Sequence, residues 1–303
     1  MFKQRSIFSI LFLIYLLFFI SSQNIAHSQN IINKKKLRLN LISQVSVYSV
    51  SVVGMNYLWY KDYPRTKFHF FDDSHEWLQI DKAGHAYTTY YLTNILTNSF
   101  KNAGIDNNKS VLFSSGLGFM YMMSIEAFDG FSPKWGASYT DLAANAVGIL
   151  IYSSQEILWR EQKIIPKFSF HTTGFPKYRP EMLGNSFAEM LLKDYNGQTY
   201  WLSFNTNSLT KLKVIPDWFN VAIGYSAEGM LGGEKNPLTI DGRSLPYFER
   251  KRQFYFSFDI DFNRIKTNKK FLKYVFKFAN CIKFPFPAIE IEKKGLSFYP
   301  LYF

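Results

Sequence analysis

Asp81 and His85 stand four residues apart, Glu126 and Asp129 three apart, and Asp141, Asn145 and Gly148 follow at four and three. On a helix, spacings of three and four put each set on one face. The surroundings are apolar, and desolvating an unpartnered charge costs several kcal/mol. These side chains therefore hold one another or do chemistry. A carboxylate beside an imidazole orients the ring and fixes its tautomer. His85 positioned by Asp81 could act as a general base, with Glu126 or Asp129 as its acid partner. His85 with two or three carboxylates could also bind a divalent metal and activate water. No other cofactor is implied.

Each residue also has an ordinary role. Ser138 and Asp141 fit the capping pattern S-x-x-D at a helix start. Asp81 fits a first-turn acid, favoured by the positive end of a helix. Asn145 fits an interhelical hydrogen bond, and Glu126 and Asp129 fit a solvated helix end. The sequence contains no H-E-x-x-H, no G-x-S-x-G and no Gly-rich phosphate loop. A buried network clamping three helices is therefore the leading reading. A hydrolase acting on a lipid-linked or cell-wall substrate is the alternative.

The elements that must position this set are mostly helical up to about residue 162. Helices are expected at 41–58, 79–102, 110–128 and 138–159, with an aromatic, acidic loop or short strand pair at 68–77. Pro64 ends the first helix. Gly116, Gly118 and Gly148 would let neighbouring backbones approach closely. The uncharged run 111–125 falls short of the ~20 residues of a membrane span.

From about residue 168 the apolar period falls towards two. One helix is expected at 180–194, and strands at 199–204, 219–225 and 253–265. In the last strand Phe254, Phe256, Phe258, Ile260 and Phe262 share one face. Tyr255, Ser257, Asp259, Asp261 and Asn263 share the other. Ten alternating residues also suit an outer-membrane barrel strand, and a terminal Phe303 resembles a barrel export signal. Only about five or six strands can be found, and such barrels need at least about 8. The expected fold is α+β: a bundle of about four helices, then a small, mostly antiparallel sheet packed on it. The expected divisions are 1–28, 29–165 and 166–303.

The first of these divisions reads as a secretory signal peptide. Lys3 and Arg5 precede an apolar run at 7–20, too short to span a bilayer, and Ala26-His27-Ser28 offers a cleavage site. The single cysteine, Cys281, allows no internal disulfide. The net charge of +12 is concentrated at 34–38 and 250–252. An exported chain gives such patches no nucleic acid to meet. An ordinary solvated basic surface accounts for such patches; as partners, anionic lipid headgroups, or outer-membrane components such as lipopolysaccharide phosphates, suit them better. Aromatics form 19% of the chain, an excess that suits a membrane interface.

The ordered series Asp81-Lys82-x-x-His85, Glu126-x-x-Asp129 and Ser138-x-x-Asp141-Leu142-x-x-Asn145-x-x-Gly148 resembles the YfiM-type predicted periplasmic lipoproteins, a family of unknown function. It is more distantly similar to the VanZ-like membrane proteins. The resemblance covers about 79–151. It implies an exported cell-envelope protein, in the periplasm or at the outer membrane, and supplies no reaction. The sequence has no lipobox cysteine near the cleavage point. A stretch at 193–203 resembles long envelope versions of the same family.

Overall fold

The computed structural model describes residues 32–56, 64–210, 214–240, 242–292 and 295–302. The expected signal peptide, the aromatic stretch at 57–63 and Phe303 lie outside the described residues. The fold is α+β, as the patterning predicts. The chain divides into two compact units. One holds the chain to Asp72 with Thr88–Glu161, and the other holds Asp73–Tyr87 and the chain from Gln162 onward.

The helical unit is built from α1 (Lys34–Met55), α2 (Ile80–Asn102) from Thr88 onward, α3 (Asn107–Gly130) and α4 (Tyr139–Leu158), the first turns of α2 being counted with the other unit. Helix α1 starts seven residues earlier than expected, because the Asn33 side chain caps it by accepting from the Lys36 amide at 2.9 Å. Asn40 and Gln44 of α1 hydrogen-bond to Ser99 of α2, and Tyr121 of α3 donates to Ser51. Helix α3 starts at a cap formed by Asp106 and runs for 24 residues. That is longer than expected, and among the described helices it alone is long and apolar enough to cross a membrane. Gly118 works as predicted: a Cβ there would lie 3.1 Å from Thr93 Oγ1. Gly116 does not, since a Cβ there would meet nothing within 4 Å.

The segment 66–72 forms one bridge, Phe70 with Ala137, rather than a strand pair. Amide bonds at 2.9–3.1 Å lay it along residues 130–137. Gly130 and Gly136 make room for it, because a Cβ at either would collide with Phe68 or Phe71. Phe70 then stacks on Tyr139, the first residue of α4, with ring centroids 4.2 Å apart.

The other unit is built on a six-stranded antiparallel sheet. Its strands are β1 (Ile164–Phe170), β2 (Gln198–Asn205), β3 (Phe219–Glu228), β6 (Lys251–Ile260), β7 (Phe286–Glu292) and β8 (Gly295–Tyr302), hydrogen-bonded in that order. The short strands β4 (Thr239–Ile240) and β5 (Arg243–Ser244) pair separately. The helix expected at 180–194 is two, α5 (Pro180–Leu183) and α6 (Phe187–Lys193), because Gly184 turns the chain at φ +101°. Helices α7 (Thr206–Thr210) and α8 (Lys270–Ala279) complete the described set. β6 ends where the Asp261 side chain caps a turn at Phe262–Arg264, five residues earlier than expected.

The sheet curls around its inner face. Tyr302 on the β8 edge reaches Thr199 on β2, with hydroxyls 3.0 Å apart. The free edge of β1 is covered by residues 281–283, which exchange amide bonds with Phe168. Trp201, Tyr255, Ala222, Ala288 and Tyr302 form an inner cluster.

Candidate functional site

In the helical unit the site is organised by one serine. The Ser138 hydroxyl caps α4 by accepting from the Asp141 amide at 3.0 Å. In a capping box, the acid at the third helical position would take the serine's own amide. Here the Ser138 amide donates to Glu126 Oε2 of α3 at 2.9 Å. Glu126 and Asp141 therefore meet at Ser138, which is 1% exposed. One turn on, Asn145 Oδ1 accepts from Thr89 Oγ1 of α2 at 2.9 Å, with both residues fully buried. Asp129 follows Glu126 three residues on. It lies half-buried at the end of α3, where its carbonyl accepts from the Phe131 and Ser132 amides.

Asp81 and His85 belong to the unit that contains the sheet. Lys82 Nζ lies 2.9 Å from Asp81 Oδ2 and 2.5 Å from Asp73 Oδ2, so one ammonium serves two carboxylates. Among the described residues Asp81 Oδ1 has no hydrogen-bond partner. Burial pushes the Asp81 carboxyl above its usual range, and Asp73 adds to this, while Lys82 and His85 pull it down. Gly84 in the same motif is needed for packing: a Cβ there would lie 2.8 Å from the Tyr200 hydroxyl of β2.

The turn before α2 is in a left-handed conformation at three successive residues, Trp77, Leu78 and Gln79, with φ of 47°, 50° and 65°. Each costs about 1–2 kcal/mol for an L-residue. The surroundings hold the turn in place. The Trp77 amide donates to the Gly233 carbonyl at 2.8 Å, Tyr225 donates to the Leu78 carbonyl, and Arg252 donates to Gln79 Oε1 at 2.6 Å. The start of α2, and hence the placement of Asp81, is fixed by the sheet's own strands.

Two features of the site escape the sequence reading. Asp73 and Lys82 flank Asp81 as ionic partners. Thr89, Thr93 and Thr97, all fully buried, continue the line of Asp81 and His85 along α2 in steps of four. The step itself was the available signal: 81, 85, 89, 93 and 97 share one face of one helix.

The Asp81 shift makes a pH prediction. A carboxyl with a folded pKa above its unfolded value favours folding most when protonated. Its contribution is full below about pH 4 and is lost as pH rises through the folded pKa. The stability of wild type minus that of Asp81→Asn should therefore fall as pH rises from about 4 and then level off. Urea midpoints at successive pH values read this directly, and a difference that rises with pH would contradict it.

Residues 69–153 match the model of a family described as "Predicted periplasmic lipoprotein (DUF2279)". No curated protein and no solved structure matches the chain. The matched segment contains every candidate residue named above, from Asp81 to Asn145, and both halves of the α2 stripe.

Proposed function

We propose that this chain is an exported envelope protein that works at a membrane and catalyses no reaction, its polar set serving to fix helix ends and helix contacts. The family match supports the exported, envelope location. The observation that carries the structural role is the Ser138 junction, where one residue ties Glu126 of α3 to the first turn of α4. The finer kinship with YfiM-type and VanZ-like proteins belongs to this reading and rests on the ordered motif series. The hydrolase alternative gains nothing from a family whose description names no reaction.

Membrane association is supported by the surface of α3. Leu112, Phe113, Leu117, Met120 and Met123 are all exposed, Leu112 to 70% and Met120 to 60%. A soluble bundle would turn such a helix inward. The basic residues Lys34, Lys35, Lys36 and Arg38 at the start of α1 are also exposed, and suit anionic headgroups.

The test is fractionation of cells expressing the full chain. It should sediment with membranes, and Leu112→Glu with Met120→Glu should lower the sedimenting fraction without changing its circular dichroism. Wild-type protein recovered in the soluble periplasmic fraction would defeat the proposal.

A further inference from the structure

The sheet is inside out for a water-soluble protein. Along β6, Gln253, Tyr255, Ser257 and Asp259 are buried, while Phe254, Phe256 and Phe258 are 50%, 40% and 43% exposed. The register repeats this across strands. Ile223, Phe256, Ile289 and Phe298 are successive partners on β3, β6, β7 and β8, and all four are exposed. The adjacent row runs Tyr225, Phe254, Ile291 and Leu296. The last three of these are at least half exposed, Leu296 to 74%.

The inner face takes the polar groups instead. Lys167 on β1 pairs with Asp259 on β6 at 2.7 Å, both side chains fully buried. Ser203, Asn220 and Asn205 extend that pair by hydrogen bonds, and Glu290 accepts from Gln253 and Tyr299. An apolar-out, polar-in alternation is the arrangement of strands that face lipid. An apolar patch crossing four strands, about 4.8 Å apart, is too broad for ordinary scattered exposure.

The chain beyond β6 carries the matching charge. Residues 262–289 contain no Asp or Glu. Helix α8 places Lys270, Lys273 and Lys277 at steps of three and four, beside Phe271, 75% exposed, and Val275, 40% exposed. Phe276 of α8 packs on Phe262, which follows β6, with ring centroids 5.9 Å apart. A short helix with a lysine row beside exposed apolar side chains suits a membrane interface.

We infer that the convex face of the sheet, centred on Phe256 and Ile289, contacts the hydrocarbon of a bilayer, with the α8 lysines on anionic headgroups. The inference rests on the envelope location proposed above and assigns a second membrane surface, separate from α3.

The test uses the full chain with its one cysteine removed, Cys281→Ser, and a nitroxide attached at Phe256→Cys or, should that variant not fold, at Phe298→Cys. Vesicles of phosphatidylethanolamine and phosphatidylglycerol are the probe. The label should be accessible to oxygen and shielded from a water-soluble nickel reagent. Replacing Lys270, Lys273 and Lys277 with Gln should weaken vesicle binding at low salt by roughly a hundredfold. A label open to nickel overturns the inference. So does a label shielded from both reagents, the sign of a second copy or a protein partner, and so does an unchanged vesicle affinity of the lysine variant. If the label is open to nickel on protein that still sediments through Leu112 and Met120, this inference fails and the α3 reading stands.

Discussion

Lys167→Met should lower the stability of the protein by about 3–5 kcal/mol, because it breaks the buried ion pair and leaves Asp259 with Lys283 as its nearby cation. Both side chains are 0% exposed, and the ammonium also donates to the Ile260 carbonyl. Asp259 meanwhile accepts from the Ser203 hydroxyl at 2.6 Å and the Phe284 amide at 3.3 Å. The inner face is thus a connected polar network, and removing one member strands several others. Lys167→Met combined with Asp259→Asn should recover at least half of the loss. The amide removes the buried charge and keeps an acceptor for Ser203. Urea denaturation of the single and double variants measures both effects. A double variant less stable than Lys167→Met alone would show that the charge is held by groups other than Lys167.

The same sheet shows where sequence pattern stops informing. The alternation of Phe254, Phe256 and Phe258 against Tyr255, Ser257 and Asp259 is plain in the chain, and β6 follows it. Period alone does not say which face is buried, and here the polar face is. β1 went unread because Pro166 and Lys167 stand in its middle. A lysine at an inward position reads as a loop until its partner, 92 residues on, is known. α8 is hidden in a run of Phe and Lys that suits either period. The helices were more legible. Their polar residues interrupt apolar runs at steps of three and four, and such interruptions are rare enough to notice. The threonines of α2 continue the same step, but a threonine in a helix calls for no explanation. The bend at Trp77–Gln79 left no trace, because no glycine marks its three positive φ values.

Glu126→Ala should cost about 1–3 kcal/mol, the penalty for leaving the buried Ser138 amide without its acceptor. Asn145→Ala should cost a similar amount by removing the oxygen that accepts from the Thr89 hydroxyl. The two sites lie on one short path, Glu126 to Ser138 to α4 and Asn145 on the same helix. The losses should therefore deviate from additivity in the double variant. The informative substitution is the conservative one. Glu126→Gln keeps an oxygen for the Ser138 amide and removes the ability to exchange a proton. If the residue fixes the helix end, Glu126→Gln should melt within a few degrees of wild type and sediment with membranes as wild type does. If it were an acid or base, Glu126→Gln would keep its melting temperature and lose the cellular phenotype as completely as Glu126→Ala. Melting curves with complementation of a deletion strain separate the two. A folded, membrane-bound Glu126→Gln protein without function would overturn the structural reading.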